Sequence, residues 1–137
     1  MSTISIVPSR LADELPAVGP PPASDAAHGV EAVDCLVVQV EGELDITGLE
    51  SFQRALSFAI AGGTPTVVVD LRRTRFLSLR NASALAEAMD DAFGAEVETR
   101  LLTGHRQIER ALEVTGARAR ARRTVRRRHR REKAAAH

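Results

Sequence analysis

Residues 67–85 read VVVDLRRTRFLSLRNASAL, and this stretch decides the fold. It begins with an apolar run that encloses one acidic residue, Asp70, which is typical of a parallel strand covered on both faces. A helical pattern over residues 79–93 follows, and Gly94 ends it. The apolar positions of that helix recur at steps of three and four: Ala82, Leu85, Met89 and Phe93. A strand followed by a short connection and a helix predicts one unit of an α/β sheet.

The sequence on both sides repeats this alternation. Residues 35–46 read as one bent strand or as a hairpin of two, and Thr47 with Glu50 predicts a capping box at the start of the next helix. A further strand is predicted at residues 97–102 and a further helix at residues 105–115. The resulting order, β-β-α-β-α-β-α, predicts an α/β fold with a small mixed, mostly parallel sheet and helices packed on it.

Composition divides the chain into three parts. Residues 1–32 hold five of the six prolines, so we expect a disordered segment there, although Ile4, Ile6 and Val7 are compatible with a short strand. Residues 33–116 form the predicted folded domain. Residues 117–137 carry ten Lys and Arg residues against one acid, whereas the rest of the chain carries nine bases and seventeen acids. The net charge of +1 therefore conceals an acidic body with a basic tail.

No pattern of side chains predicts an active site, a metal site or a cofactor site. The four histidines lie far apart in the sequence: His28, His105, His129 and His137. The single cysteine, Cys35, begins an apolar strand, where a buried and unreactive thiol is expected. Neither a bilayer-spanning run nor a secretory signal is predicted, so we expect a cytoplasmic protein without membrane insertion.

Four motifs in matching order resemble the STAS domain of bacterial anti-sigma factor antagonists. They are residues 42–45 (GELD), the strand 67–71 with Asp70, the pair Phe76-Leu77 before a helix, and residues 111–116 (ALEVTG). The resemblance covers residues 33–116 and implies a STAS-like fold and a non-enzymatic role in transcription regulation. It also implies that the partner is an anti-sigma factor of the histidine-kinase-like ATPase type. In that family, phosphorylation of a serine of the STAS domain abolishes the complex with this partner.

The sequence departs from the family at this phosphorylation site. The family motif Phe-Leu-Asp-Ser-Ser-Gly places its aspartate on Ser78, its two serines on Leu79 and Arg80, and its glycine on Asn81. The usual acceptor is therefore Arg80, which cannot be phosphorylated. Ser78, Ser83 and Thr74 offer other hydroxyls, but a helix cap or a surface hydroxyl is the favoured interpretation of each.

The resemblance places the partner-binding surface at the start of the second helix. Its expected members are Asp45, Thr47, Ser78, Leu79, Arg80, Asn81 and Ser83. From its position, Asp45 is also expected to serve as a turn residue. Asp70 is expected to brace the following loop through Arg72 or Arg80.

Three interpretations of residues 117–137 remain open. The segment is a solvated tail, helical because alanine and arginine favour helices; or it binds nucleic acid or another acidic surface; or it reflects a shifted reading frame in a GC-rich gene. The second interpretation gives an alternative function, a nucleic-acid-binding protein that acts through this segment.

Overall fold

The computed structural model describes residues 2–14 and 33–135. The strands of these ranges are β1 Ser2–Ser9, β2 Cys35–Leu44, β3 Thr66–Leu71, β4 Thr74–Leu77 and β5 Glu98–Thr103. The helices are α1 Leu11–Glu14, α2 Leu49–Ile60, α3 Leu79–Gly94, α4 Arg106–Thr115 and α5 Ala117–Ala135, and a 3₁₀ turn Ile46–Gly48 precedes α2.

The strands form one mixed sheet in the order β1-β2-β3-β5, and β4 pairs with the end of β2. Strand β1 runs antiparallel to β2, whereas the pairs β2·β3, β2·β4 and β3·β5 are parallel. The structure confirms the predicted α/β class with a mostly parallel sheet. Residues 35–44 form one long strand, which decides between the two alternatives for that segment.

Strand β4 was missed because it is short and follows directly on the charged residues Arg72 and Arg73. It occupies four residues of the predicted connection, and only its first and last side chains are buried. It pairs with β2 from Gly42 to Leu44. The register shifts between Gly42 and Glu43, and Gly42 adopts a φ of +92°. The Gly42 N–H donates to the carbonyl of Arg73 at 3.1 Å, so this irregularity joins the two strands.

The prediction of disorder for residues 1–32 was wrong for residues 2–14, and residues 15–32 lie outside the described residues. Strand β1 pairs with β2 over its full length, from Ser2 opposite Gly42 to Ser9 opposite Cys35. Ile4 and Ile6 pack against the core, so the short strand with which these residues are compatible does form. Pairing satisfies the backbone groups of β2 on the side away from β3, which offsets the cost of ordering the segment.

The sheet has a large apolar core on one face. Val67 and Val69 belong to this core, whereas Val68 packs with Cys35 and Val37 in a separate small cluster. Every residue of β3 is buried, as the continuous apolar run predicted. In the described parts of the chain, no helix combines the length and apolarity that a bilayer crossing requires.

The expected boundary of the folded domain at residue 116 was also wrong, because α5 packs against the domain. Gly116, with a φ of +86°, ends α4 and lets the chain turn directly into α5. Ala117 and Ala121 belong to the buried core. Alanines four residues apart give α5 an apolar stripe that is narrow but sufficient for close packing.

Candidate functional site

The candidate site lies where β2 and β4 end side by side and α3 begins. Leu44 and Leu77, the last residues of the two strands, are paired in register. The Ser78 N–H donates to the Leu44 carbonyl at 3.0 Å and so extends this pairing to the first residue before α3. We call this region the junction; it comprises residues 44–47 and 77–83.

Ser78 is the N-cap of α3, as expected. Its hydroxyl oxygen accepts a hydrogen bond from the Asn81 N–H at 3.2 Å, and its backbone is extended. Such a cap satisfies one of the free N–H groups at the start of the helix. The same oxygen accepts from the Asn81 side-chain amide at 2.8 Å, so it is engaged on two sides.

Asn81 is buried within the junction, contrary to its expected place on an exposed binding surface. Its side chain is fully buried. The amide nitrogen donates to the carbonyls of Leu44 at 3.3 Å and Asp45 at 2.8 Å. Because these carbonyls follow the end of β2, the contacts tie the first turn of α3 to the sheet.

The capping box that Thr47 and Glu50 predicted does not form. Thr47 donates its N–H at 3.0 Å and its hydroxyl at 2.5 Å to a carboxylate oxygen of Asp45. Glu50 pairs instead with Arg54. The carboxylate therefore caps the 3₁₀ turn before α2, and the bonds from Thr47 lower the pKa of Asp45. The structure confirms the turn role that was expected for Asp45.

Asp70 braces the loop after β3 through Arg72 and not through Arg80. The Arg72 guanidinium donates to both carboxylate oxygens of Asp70, at 3.0 and 2.9 Å. The backbone N–H of Arg72 donates to one of these oxygens at 3.1 Å. Burial raises the pKa of Asp70, but the bonds from Arg72 outweigh that effect and leave the pKa below its usual value. Arg80 is exposed, and no ion pair joins it to another residue of the described ranges.

Two large apolar side chains are exposed at the junction. Leu79, in the first turn of α3, is 57% exposed, and Ile46, in the 3₁₀ turn, is 55% exposed. Arg80 and Ser83 are exposed on the same helix. Sequence reasoning missed Ile46, since its place in a strand pattern predicted burial; the turn that Asp45 caps carries it outward instead.

Gln107 is a second residue that sequence reasoning missed. Its amide oxygen accepts from the Leu77 N–H at 3.1 Å, and its amide nitrogen donates to the Leu77 carbonyl at 3.0 Å. One side chain from α4 thus satisfies both backbone groups of the last residue of β4. No spacing in the sequence indicated this contact, because it joins residues thirty positions apart.

The described residues contain no group of three His, Cys, Asp or Glu side chains arranged to hold a metal ion. Cys35 is buried, as expected, and its thiol donates to the Ser9 carbonyl at 3.4 Å. Burial raises the pKa of Cys35 to about 11. The thiol is therefore protonated near neutral pH and poorly suited to nucleophilic attack.

The family model of the STAS domain matches residues 27–128. The chain belongs to the STAS domain family. The fold is similar to that of an anti-sigma factor antagonist from Mycobacterium paratuberculosis, with a TM-score of 0.58 and 18% identity over 84% of this chain and 80% of that chain. It is also similar to that of the anti-sigma factor antagonist SpoIIAA in its unphosphorylated form, with a TM-score of 0.50 and 21% identity over 58% of this chain and 74% of that chain.

No curated protein sequence matches this chain. The STAS match extends beyond the predicted domain on both sides and includes the first part of α5. This agrees with the packing of that helix against the domain.

Proposed function

We propose that this STAS domain is a non-enzymatic module of a partner-switching system and that it binds an anti-sigma factor of the histidine-kinase-like ATPase type. The binding surface is the exposed part of the junction: Asp45, Ile46, Thr47, Leu79, Arg80 and Ser83. The observation that carries the proposal is the exposure of Ile46 and Leu79 on a region whose backbone is fixed by Asn81 and Ser78.

Exposed apolar side chains on a rigid support are favourable anchors for a protein partner. Leu79 loses contact with water on binding, while the hydrogen bonds of the junction keep it in place before the partner arrives. The similarity to two anti-sigma factor antagonists supports an anti-sigma factor as the class of partner.

We further propose that phosphorylation does not switch this complex at position 80. Arg80 has no hydroxyl to accept a phosphate. The Ser78 hydroxyl is the nearest alternative, but it caps α3 and bonds to Asn81 twice, so phosphorylation there would break the start of the helix. Ser83 is exposed, and the experiment below tests it directly.

Binding is tested with the full chain against purified histidine-kinase-like anti-sigma factors encoded in the same genome. We expect Leu79→Asp to weaken the complex by at least tenfold, because a charge replaces an apolar anchor. Phe58→Asp is the matched control: Phe58 is 67% exposed on α2, outside the junction, so this variant should bind like the wild type. Absence of binding by the wild type to all of these proteins contradicts the proposal, as does equal binding by both variants.

The switch is tested by adding ATP to the complex. The wild type should stay bound and unphosphorylated, whereas Arg80→Ser, which restores the acceptor, should gain phosphate and be released by charge repulsion. Mass spectrometry locates the phosphate. Phosphate on Ser78 or Ser83 of the wild type, together with release of the partner, overturns this part of the proposal.

A further inference from the structure

The C-terminal helix α5 is held in a fixed position on the domain. Arg118 donates to both carboxylate oxygens of Glu109 at 2.7 and 2.8 Å. Arg120 and Arg123 donate to Asp90 at 3.0 and 2.9 Å. Together with the buried alanines, these contacts order the helix during folding, so a ligand of α5 does not have to supply that ordering.

An arginine-lined cleft lies between α5 and the end of α3. It has a volume of about 250 Å³ and is lined by Phe93, Arg123, Arg126, Arg127 and Arg130. The guanidinium carbons of Arg123 and Arg127 stand 4.0 and 3.6 Å from the centre of the Phe93 ring. Arg127 also donates to the Phe93 carbonyl at 2.6 Å. None of the described residues that line the cleft is acidic.

A row of exposed arginines continues from this cleft along α5. Arg122, Arg126 and Arg130 are exposed, and none of them is hydrogen-bonded to any of the side chains that the structure describes. They are four positions apart, which places them on one side of the helix at steps of about 6 Å. Steps of this length are of the same order as the distance between successive phosphates along a nucleic acid strand.

From this arrangement we propose that α5 and the arginine-lined cleft bind the phosphate backbone of duplex nucleic acid without reading its bases. Nine of the ten basic residues in the segment are arginine, whose planar fork of donors suits phosphate oxygens. Phe93, the aromatic ring among the described lining residues, is already covered by two guanidinium groups, and the chain has no Trp or Tyr. A single strand, which needs rings for stacking, is therefore disfavoured as the ligand.

The apolar side chains of α5 also favour a nucleic acid over a membrane surface as its ligand. A helix that lies on a membrane needs large apolar side chains on the face opposite its charges. The described apolar side chains of α5 are all alanines, which are too small for this purpose, and two of them, Ala117 and Ala121, are buried in the domain. An acidic protein surface is a different class of ligand, and the competition experiment below distinguishes it.

The proposal is tested with the full chain and a fluorescein-labelled DNA duplex of mixed sequence, by fluorescence anisotropy between 50 and 200 mM salt. At least three phosphate contacts give a slope of about −2.7 for the logarithm of the association constant against that of salt. Binding should therefore weaken about 40-fold over this range, a figure that follows from the same slope. Truncation after Gly116 is not a suitable test, because it would remove buried Ala117 and Ala121 from the core.

The decisive variant is Arg122→Gln/Arg126→Gln/Arg130→Gln, which should bind at least tenfold more weakly at 50 mM salt and lose most of the slope. Its matched control removes three other exposed arginines and the same charge: Arg75→Gln/Arg106→Gln/Arg110→Gln. Circular dichroism checks that both variants are folded.

Equal binding by both triple variants overturns the proposal, as does failure of the wild type to bind the duplex at 50 mM salt. Competition by polyglutamate at the same charge concentration as DNA would assign the surface to an acidic protein and overturn it as well. Leu79→Asp should bind the duplex like the wild type, so failure of this proposal is distinguishable from failure of the proposed anti-sigma factor complex.

Discussion

Replacement of Asn81 with alanine should destabilise the whole domain. The side chain is fully buried, and its amide donates to the Asp45 carbonyl and the Ser78 hydroxyl, both at 2.8 Å, and more weakly to the Leu44 carbonyl. Each net hydrogen bond contributes ~0.5–1.5 kcal/mol, and an acceptor left buried without a donor costs ~1–3 kcal/mol. From the two shorter bonds we expect the free energy of unfolding to fall by ~2–3 kcal/mol.

Urea denaturation followed by circular dichroism measures this change directly. In a chain of this size, the expected loss corresponds to a fall of roughly 6–15 °C in the melting temperature. Ser83→Ala is the control, because Ser83 is exposed and lies two residues further along α3. Its replacement should change the free energy of unfolding by no more than ~0.5 kcal/mol. If Asn81→Ala is also within ~0.5 kcal/mol of the wild type, the junction is not held together by this side chain and the reasoning is refuted.

Three further predictions concern contacts away from Asn81. Gln107→Ala should lower the free energy of unfolding by ~1 kcal/mol in urea, because Leu77 loses a donor and an acceptor; no change would show that water replaces both. Cys35 should resist Ellman's reagent at pH 8 in the folded protein, and rapid labelling of the native protein would contradict its burial. The free energy of unfolding should decline as the pH rises from ~8.5 toward the raised pKa of about 11, because in this range the thiol ionises only in the unfolded chain. Arg118 lowers the pKa of Glu109, and Arg120 and Arg123 lower the pKa of Asp90. The free energy of unfolding should therefore fall as the pH drops below the ordinary pKa values of these carboxyl groups, 4.5 and 3.8. This fall should be smaller in the variant Asp90→Asn/Glu109→Gln. Thermal melts between pH 5 and 3 provide the measurement, and an equal fall in both proteins would contradict it.

Local sequence was sufficient wherever one segment carries its own pattern. The apolar run from Val67 predicted a buried strand, and the stripe that includes Leu85 predicted α3. The arginine at position 80, where the resemblance places the family's acceptor serine, is visible in the sequence, and its side chain has no hydroxyl. The cap at Ser78 could be predicted because its partner, the Asn81 N–H, is three residues away.

The features that depend on distant contacts were decided only by the tertiary structure. Pairing with β2 orders β1 despite a Pro-rich neighbourhood, and close packing at Ala117 and Ala121 makes α5 part of the domain despite its charge. Asn81 was expected at the surface. The position of α3 instead directs its side-chain amide to the carbonyl of Asp45, which lies thirty-six residues earlier in the sequence, next to the end of β2. Periodicity and capping residues report interactions within one segment, whereas the burial of a side chain and the pairing of a strand edge depend on which other segment comes to lie against it.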